Sequence, residues 1–442
     1  MARKTRRLPA HRGPAAWSEV LGAQPAALPA LSENRTADLV IIGGGIAGLS
    51  AARRFLQLEP DAAVVLLEAG RLAEGAAGRN SGFMIDLPHD LASDDYAGGG
   101  NDRAVIALNR HAISFAREAV AEYLIDPSFF EEAGKVNGAA STAAETTAQG
   151  YARHLEALGE TVEHMDAQAM TELTGSTYYR SGLYTPGTVL VQPAGYVRGF
   201  AAGLGSQMAL HEKSAVTALG RAGPDWTVQT DAASVTSPRV IMATNGHLES
   251  FGYARGRLIH LFLFASMTEP LQPGALAGAP IWGVTPADPM GTTVRRIDGR
   301  QGGDRIVVRS AAVLRSDMTV RPEDLSAAAN AHRDKFNARF PELTDTAMAY
   351  SWAGQLCLSR NGVSVMRELD PGLFSACVQN GLGLTKGTLT GIGAAELAAG
   401  ATSEVTRALS AEKRPKLLPP QPFRDLVGNA ILRRKERQAA AE

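Results

Sequence analysis

The spacing of apolar and polar residues divides the chain into stretches of different period. Ala37 to Ile42 (ADLVII) is an apolar, β-branched run that stops at glycines, and Ile46 to Leu58 repeats apolar residues at helical spacing before Pro60. Ala63 to Leu67 (AVVLL) is a second continuous apolar run, the pattern of a parallel strand buried on both faces. These segments predict strand, turn, helix and strand at the start of a parallel sheet. Arg103 to Leu124 reads as a helix with Ile106, Asn109, Ile113, Ala116 and Val120 on one stripe, and a polar, Ala- and Thr-rich region then runs to about Glu172.

A further helix is predicted from about Val197 to Leu210, followed by strands near Ala215 to Leu219, Trp226 to Thr230 and Arg239 to Ala243. Residues 258 to 320 change character: short apolar runs alternate with Gly, Pro and Asp, as in an antiparallel sheet. Leu373 to Gln379, a Gly-rich turn and Thr388 to Leu397 add one more strand, loop and helix. No apolar run approaches the roughly 20 residues that span a bilayer, and Leu258 to Met267 has the length of a core strand.

Composition narrows the function rather than the fold. Of 442 residues, 44 are Lys or Arg and 45 are Asp or Glu, so no global field points to nucleic acid or a membrane surface. A small neutral or zwitterionic ligand fits better. The two cysteines, Cys357 and Cys377, form neither a CxxC pair nor a Cys/His cluster, which leaves no zinc or iron–sulfur site. The basic start MARKTRRLPAHRG lacks the apolar segment and cleavage site of an export signal. The expectation is a cytoplasmic protein, as a monomer or a homo-oligomer, with a partly disordered arm to about Arg35; Trp17 is its one anchor if the arm docks.

In IIGGGIAGLSAA, Gly43, Gly45 and Gly48 satisfy GxGxxG directly after a strand and at a helix start. Gly43 permits the tight turn, Gly45 lets backbone N–H groups reach a pyrophosphate, and Gly48 lets the helix pack on the strand. Glu68 closes the second strand, where a carboxylate accepts both ribose hydroxyls and repels a 2′-phosphate. NAD and FAD remain open until the next segment. GAAGRNSGF, from Gly75 to Phe83, lets backbone lie flat against a large ring while Arg79 and Asn80 supply donors, which selects a flavin.

These residues resemble the glycine/D-amino acid oxidase (DAO) superfamily, and within it the γ-glutamylputrescine oxidase-like branch, over about residues 15 to 400. The resemblance rests on Trp17, DLVIIGGGIAGLSAA with Glu68, the GAAGRNSG loop, MATNG at Met242 to Gly246, MTEPL at Met267 to Leu271, WAG at Trp352 to Gly354, and NGLGLTKGTLTG from Asn380 to Gly391. It implies an α/β plus α+β fold: a Rossmann-like FAD-binding domain of the DAO type and a second, mixed antiparallel-sheet domain for the substrate. Residues 36–102, 195–255 and 350–410 are expected in the first and residues 103–194 and 256–349 in the second. The arm (1–35) and a C-terminal tail or helix (411–442), with its solvated LRRKER run, flank them.

Carried over residue by residue, the resemblance places Gly43, Gly45, Ile46, Ala47, Gly48, Glu68 and Ala69 on the ADP part and Val216 near the adenine. Gly78, Arg79, Asn80, Ser81 and Gly82 fall along the ring, with Ala243, Thr244 and Asn245 at the MATNG turn. Gly381, Leu382, Gly383, Leu384, Thr385 and Lys386 fall at the pyrimidine edge. Leu382 replaces the histidine of a GHG motif. Met84 stands near the substrate-carboxylate arginine of simple sarcosine oxidases, and Gly354 near their flavin-linking cysteine, with Cys357 out of register. Non-covalent FAD is therefore expected.

The implied chemistry is hydride transfer from the α-carbon of an amine or amino acid to flavin N5, giving an imine that water hydrolyses, with O2 or another acceptor taking the electrons. Secondary amines, N-substituted glycines, D-amino acids and polyamine derivatives all qualify. Competing readings are a tailoring oxidase for a larger metabolite and a flavoprotein subunit that needs a partner. Four residues are candidates for the reaction itself. Lys386 serves the reduced flavin, a substrate carboxylate, or solvent; His89 faces the substrate or holds its loop; His260 faces the cavity roof or is a satisfied core residue. Arg296, beside Arg295 on a strand, is a partner for an anionic substrate group because one of the two must face inward.

Overall fold

The computed structural model describes residues 3–5, 8–88, 100–439 and 441–442. Strand Leu39–Ile42, helix Ile46–Leu58 and strand Val64–Leu67 form the expected opening unit, with Ile41 opposite Leu66 in parallel register. Every residue of both strands is buried, which requires cover on each face. Leu39, Ile41, Val64 and Leu66 pack against Leu49 and Phe55 of the helix, while Val40, Ile42, Val65 and Leu67 pack against Val216, Leu219, Val228 and Val235.

Six strands make this sheet, in the order Ala209–His211, Val64–Leu67, Leu39–Ile42, Val240–Met242, Leu373–Cys377 and Val365–Asp370; all pairs are parallel except the last. The second large sheet has eight strands. Its order is Met348–Ser359, Leu258–Thr268, Arg305–Leu314, Thr293–Ile297, Trp282–Pro286, Lys135–Ala139, Ser181–Thr185 and Glu163–Asp166. Only Trp282–Pro286 and Lys135–Ala139 pair in parallel, so this is the mixed antiparallel sheet expected of the second domain. Among the described residues, no helix is long and apolar enough to cross a membrane.

Three boundaries differ from the pattern-based expectation. Strand Met348–Ser359 pairs along its whole length with Leu258–Thr268, so the second sheet extends to Ser359 rather than ending at 349. The helix expected over 197–210 is Pro193–Leu204: Pro193 presets the first turn, and the Gln192 side chain accepts the Gly195 N–H at 2.8 Å. Residues 209–211 become an edge strand instead. The Ala- and Thr-rich stretch contains helix Thr142–Leu158, capped by Ser141 and ended by Gly159 in the left-handed region (φ 83°).

The N-terminal arm is docked, not disordered, over the described part that follows Arg7. Ala353 on the edge strand donates its N–H to the Arg12 carbonyl at 2.9 Å, and Ala10 donates to Met318 at 2.9 Å. An edge strand carries unpaired backbone groups, and the arm satisfies some of them. Beyond Trp17, which is fully buried, Leu28 and Leu31 donate to Glu212 and Ser214, each at 2.9 Å. The C-terminal helix Phe423–Gln438 docks along strand Arg305–Leu314, where Asn429 and Glu436 accept the N–H groups of Leu314 and Ala312.

Candidate functional site

A cavity of about 650 Å³ opens at the carboxyl ends of strands Leu39–Ile42, Val64–Leu67 and Val240–Met242, where parallel sheets of this topology bind ligands. Gly43 has φ 109°, and a Cβ there would lie 2.6 Å from the Ala243 carbonyl oxygen. A Cβ on Gly48 would fall well inside contact of the Gly43 oxygen, so only glycine lets helix and strand approach this closely. Gly45 precedes the helix, whose first N–H groups face the cavity with its dipole behind them. Glu68 accepts N–H groups from Gly44 (2.8 Å) and Gly70 (2.9 Å). Burial pushes its carboxyl up, and those two donors oppose the shift.

From Glu68, Ala69 and Val216 the cavity passes Gly43, Gly45, Ile46 and Ala47, then Ala243, Thr244 and Asn245, and reaches Arg79, Asn80 and Ser81. Gly381, Gly383 and Gly387 line it near the last helix, Thr385–Ala398. The far wall belongs to the eight-stranded sheet through Leu263, Ala265, Arg309 and Gly354.

The loop after Glu68 corrects one expectation. Arg79 donates to the carbonyls of Glu74 (2.6 Å), Gly13 (3.0 Å) and Ala353 (3.2 Å), and burial lowers its pKa to about 10. Asn80 donates to Ala77 at 2.6 Å and accepts from Gly82 at 2.8 Å. These two side chains fasten the loop to itself and to the arm, so it is backbone that the loop offers to a ligand. Gly78 and Gly82 lie behind the lining: a Cβ on either would collide with neighbouring carbonyls, and on Gly82 with the Arg295 guanidinium as well.

The reaction candidates scatter. His260 is buried with Nε2 2.8 Å from Glu249 Oε2, on the far side of Gly246, and does not line the cavity. Arg296 does not face inward. Its guanidinium pairs with Asp304 at 2.8 Å and donates to the carbonyls of Leu276 and Ala277. Alternation along the strand turns Arg295 inward instead, but that residue donates to Val191 (2.6 Å), Gly82 (3.2 Å) and Gln301 (2.7 Å), and burial lowers its pKa to about 9. Lys386 is half-buried in the first turn of helix Thr385–Ala398 and outside the lining, as are Leu382, Leu384 and Thr385. His89 lies outside the described residues.

Sequence reasoning missed His247, Gln355 and Arg309, which all line the cavity. His247 is buried, and neither ring nitrogen has a partner among the described residues; Asn245 Oδ1 and Gln355 Nε2 share that condition. Orphaned buried polar atoms around a glycine cradle fit a large polar ligand such as a dinucleotide. His247 follows directly on MATNG, so its position after the turn was the available signal.

The comparisons with known proteins agree with this geometry. A family model described as FAD dependent oxidoreductase (DAO) matches residues 38–397. A probable oxidoreductase OrdL of Rhizobium meliloti (strain 1021) is 26% identical over 405 residues, covering 88% of this chain and 89% of that protein. Gamma-glutamylputrescine oxidoreductase of Escherichia coli (strain K12) is 28% identical over 229 residues, 49% of this chain and 51% of that one. Among solved structures, glycine oxidase from Geobacillus kaustophilus superposes with a TM-score of 0.68 at 17% identity, covering 84% of this chain and 96% of that one. L-proline dehydrogenase from P. horikoshii gives 0.63 at 17%, covering 85% and 96%. At such identities the structural likeness is one of fold.

Proposed function

Because the chain belongs to the DAO family of FAD dependent oxidoreductases, we propose that it oxidises the C–N bond of an amine or amino acid, with FAD held non-covalently in the cleft. The observation that carries this reading is the continuity of the cavity from Glu68, past the glycine cradle, to the sheet wall of Leu263, Ala265 and Gly354. Bound FAD supplies a two-electron acceptor for the hydride that leaves the carbon next to nitrogen, and water hydrolyses the resulting imine.

Each wall then has a task. Glu68 would hold the ribose hydroxyls and the first turn of helix Ile46–Leu58 would hold the pyrophosphate. The Asn80 and Ser81 backbone would hold the flavin ring from the loop, and Leu263, Ala265 and Gly354 of the sheet wall would exclude water and orient the C–H bond. The N-terminus of helix Thr385–Ala398 favours negative charge at its end of the cleft, and Lys386 adds its charge there from outside the lining. O2 or another acceptor takes the electrons onward.

Cys357 borders the cavity, but its packing supports non-covalent binding. Gly354 offers no thiol, and Cys357 is packed by Gly246 and His260, with burial pushing its thiol well up. Acid precipitation is therefore expected to release all the flavin to the supernatant; colour retained in the pellet contradicts this. Glu68→Gln puts an amide donor against the Gly44 or Gly70 N–H and removes the charge that the ribose hydroxyls use. A lost charged hydrogen bond is worth about 1.5–3 kcal/mol, or FAD binding weakened about 10- to 100-fold, read by titrating apoprotein with FAD. The reaction is tested by incubating the holoprotein with a panel of amines under O2 and with an artificial quinone. An aldehyde or keto acid and a released amine or ammonia are expected from at least one member. A protein that holds FAD yet forms no such product from any of them overturns the reading.

A further inference from the structure

Pairing between strands Thr293–Ile297 and Arg305–Leu314 reaches only to Arg309, which leaves the N–H groups of Ala312, Leu314 and Ser316 to other acceptors. Helix Phe423–Gln438 supplies them. Glu436 accepts from Ala312 (2.7 Å), Asn429 from Leu314 (2.9 Å), and Asp425 from the Ser316 N–H (3.3 Å) and hydroxyl (2.5 Å). A Cβ on Gly428 would lie 2.7 Å from Leu314 Cδ1, so the helix is held close to the strand by its polar stripe. That docking reverses the usual orientation of a surface helix, which buries its apolar stripe. Phe423, Val427 and Ile431, at every fourth position, and Leu426 beside them stand on the opposite face, each more than half exposed. Of the eight large apolar side chains exposed among the described residues, these four and Leu417 of the preceding segment make five, so the exposure is concentrated here.

The charges are sorted the same way. Glu412, Asp425 and Glu436 are part-buried against the body, Glu412 accepting the Ser364 N–H at 2.6 Å. Lys413, Arg414 and Lys416 before the apolar stripe and Arg433, Arg434 and Arg437 after it are exposed. Among the described residues of 411–438 no carboxylate is exposed, so the stripe is flanked along the chain by cations without acids of their own segment beside them. A whole-chain charge of −1 conceals this local excess. The segment also lies beyond residues 38–397, where the family match ends, so the family's shared chemistry does not account for it. An anionic bilayer surface suits both features: its headgroup layer takes up apolar side chains, and each Lys or Arg near it strengthens binding about fivefold. A second copy of the chain suits them less. It would set these cations against one another or against the apolar stripe, with no exposed carboxylate of the segment to pair them.

We propose that helix Phe423–Gln438 docks on an anionic lipid bilayer, with Phe423, Leu426, Val427 and Ile431 entering the headgroup layer and Arg433, Arg434 and Arg437 meeting lipid phosphates. The helix lies along the surface, and the inference does not depend on C–N oxidation. Full-length holoprotein is sedimented with vesicles of phosphatidylcholine alone and of equal parts phosphatidylcholine and phosphatidylglycerol. Binding to the second is expected to be at least about 10-fold tighter and to weaken with added salt. The pair Arg433→Gln and Arg434→Gln should lower it about 30-fold, and the pair Phe423→Ser and Val427→Ser at least about 10-fold. FAD content and unfolding midpoint should stay unchanged, because all four side chains are exposed. Equal or absent binding to the two kinds of vesicle overturns the proposal, as do variants that bind like the unmodified chain. If the serine pair fails to fold, the arginine pair decides alone. Two other occupants would declare themselves with the same variants. A dimer in sedimentation equilibrium that the serine pair disperses, with vesicles ignored, assigns the face to a second copy. Binding of polyglutamate in preference to vesicles assigns it to an acidic protein, and either result overturns the bilayer.

Discussion

Gly48→Ala is expected to give a protein that purifies colourless. The added methyl group would overlap the Gly43 carbonyl oxygen and lie 3.1 Å from the Gly43 carbonyl carbon and 3.4 Å from Ile41 Cγ2. Neither carbonyl atom can move without opening the turn, because the Gly43 N–H is bonded to the Leu67 carbonyl at 2.8 Å and Ile41 is a fully buried sheet residue. The helix must therefore lift from the strand at its N-terminus, the end proposed to present N–H groups to the pyrophosphate. Forced insertion of a methyl group into a packed core costs about 1–3 kcal/mol and sometimes more. With the strain falling on the binding groups, FAD affinity should drop at least about 100-fold. Gly150→Ala is the control: nothing lies within 4 Å of its added Cβ in the middle of helix Thr142–Leu158. It should retain FAD and gain up to about 1 kcal/mol of stability. Flavin-to-protein ratio after purification and FAD titration check both.

Trp17→Ala should be the most damaging single change outside the two sheets. Trp17 is fully buried, its indole donates to the Asn80 carbonyl at 2.8 Å, and its own carbonyl accepts from Gln192 at 2.8 Å. Its ring meets Trp352 edge to face at 6.5 Å and lies 5.2 Å from the Arg295 guanidinium. Truncation leaves a cavity between the arm, the flavin loop and the sheet, and it strips cover from a buried cation. Large aromatic truncations cost about 3–5 kcal/mol. Denaturant midpoints of the apoprotein should fall accordingly, and FAD should bind more weakly because Asn80 lines the cavity. Trp17→Phe keeps the packing and loses the hydrogen bond, about 1 kcal/mol. Equal effects from both variants would show that the arm contributes only the hydrogen bond.

The opening unit was legible because its signals are local. Two unbroken apolar runs, three glycines and Glu68 lie within one short stretch, and each has a single structural use there. The same holds for the Gly-rich turn before Thr385. What stayed illegible depends on contacts remote in sequence. Arg79 and Asn80 carry donors in any loop, and only the positions of the arm and of Ala353 reveal that Arg79 is engaged. Arg295 and Arg296 differ by one position of register, which a sequence cannot number without the partner strand. Arg309 needed the same register. Met348–Ser359 carries no mark of the sheet it joins, because its partner Leu258–Thr268 lies on the far side of residues 269–347. The docked arm was hidden for a different reason: its Pro- and Ala-rich composition resembles a linker, and its acceptors serve the edge of a sheet that forms much later in the chain.

The central claim is that the cleft holds FAD and passes to it the electrons of a C–N bond. Anaerobic mixing of the purified holoprotein with amines and amino acids tests it most directly. At least one compound is predicted to bleach the oxidised flavin band, with one imine-derived product formed per flavin reduced and the colour returning when an acceptor is admitted. A holoprotein whose flavin is reduced by dithionite but by no amine in the panel would contradict the account.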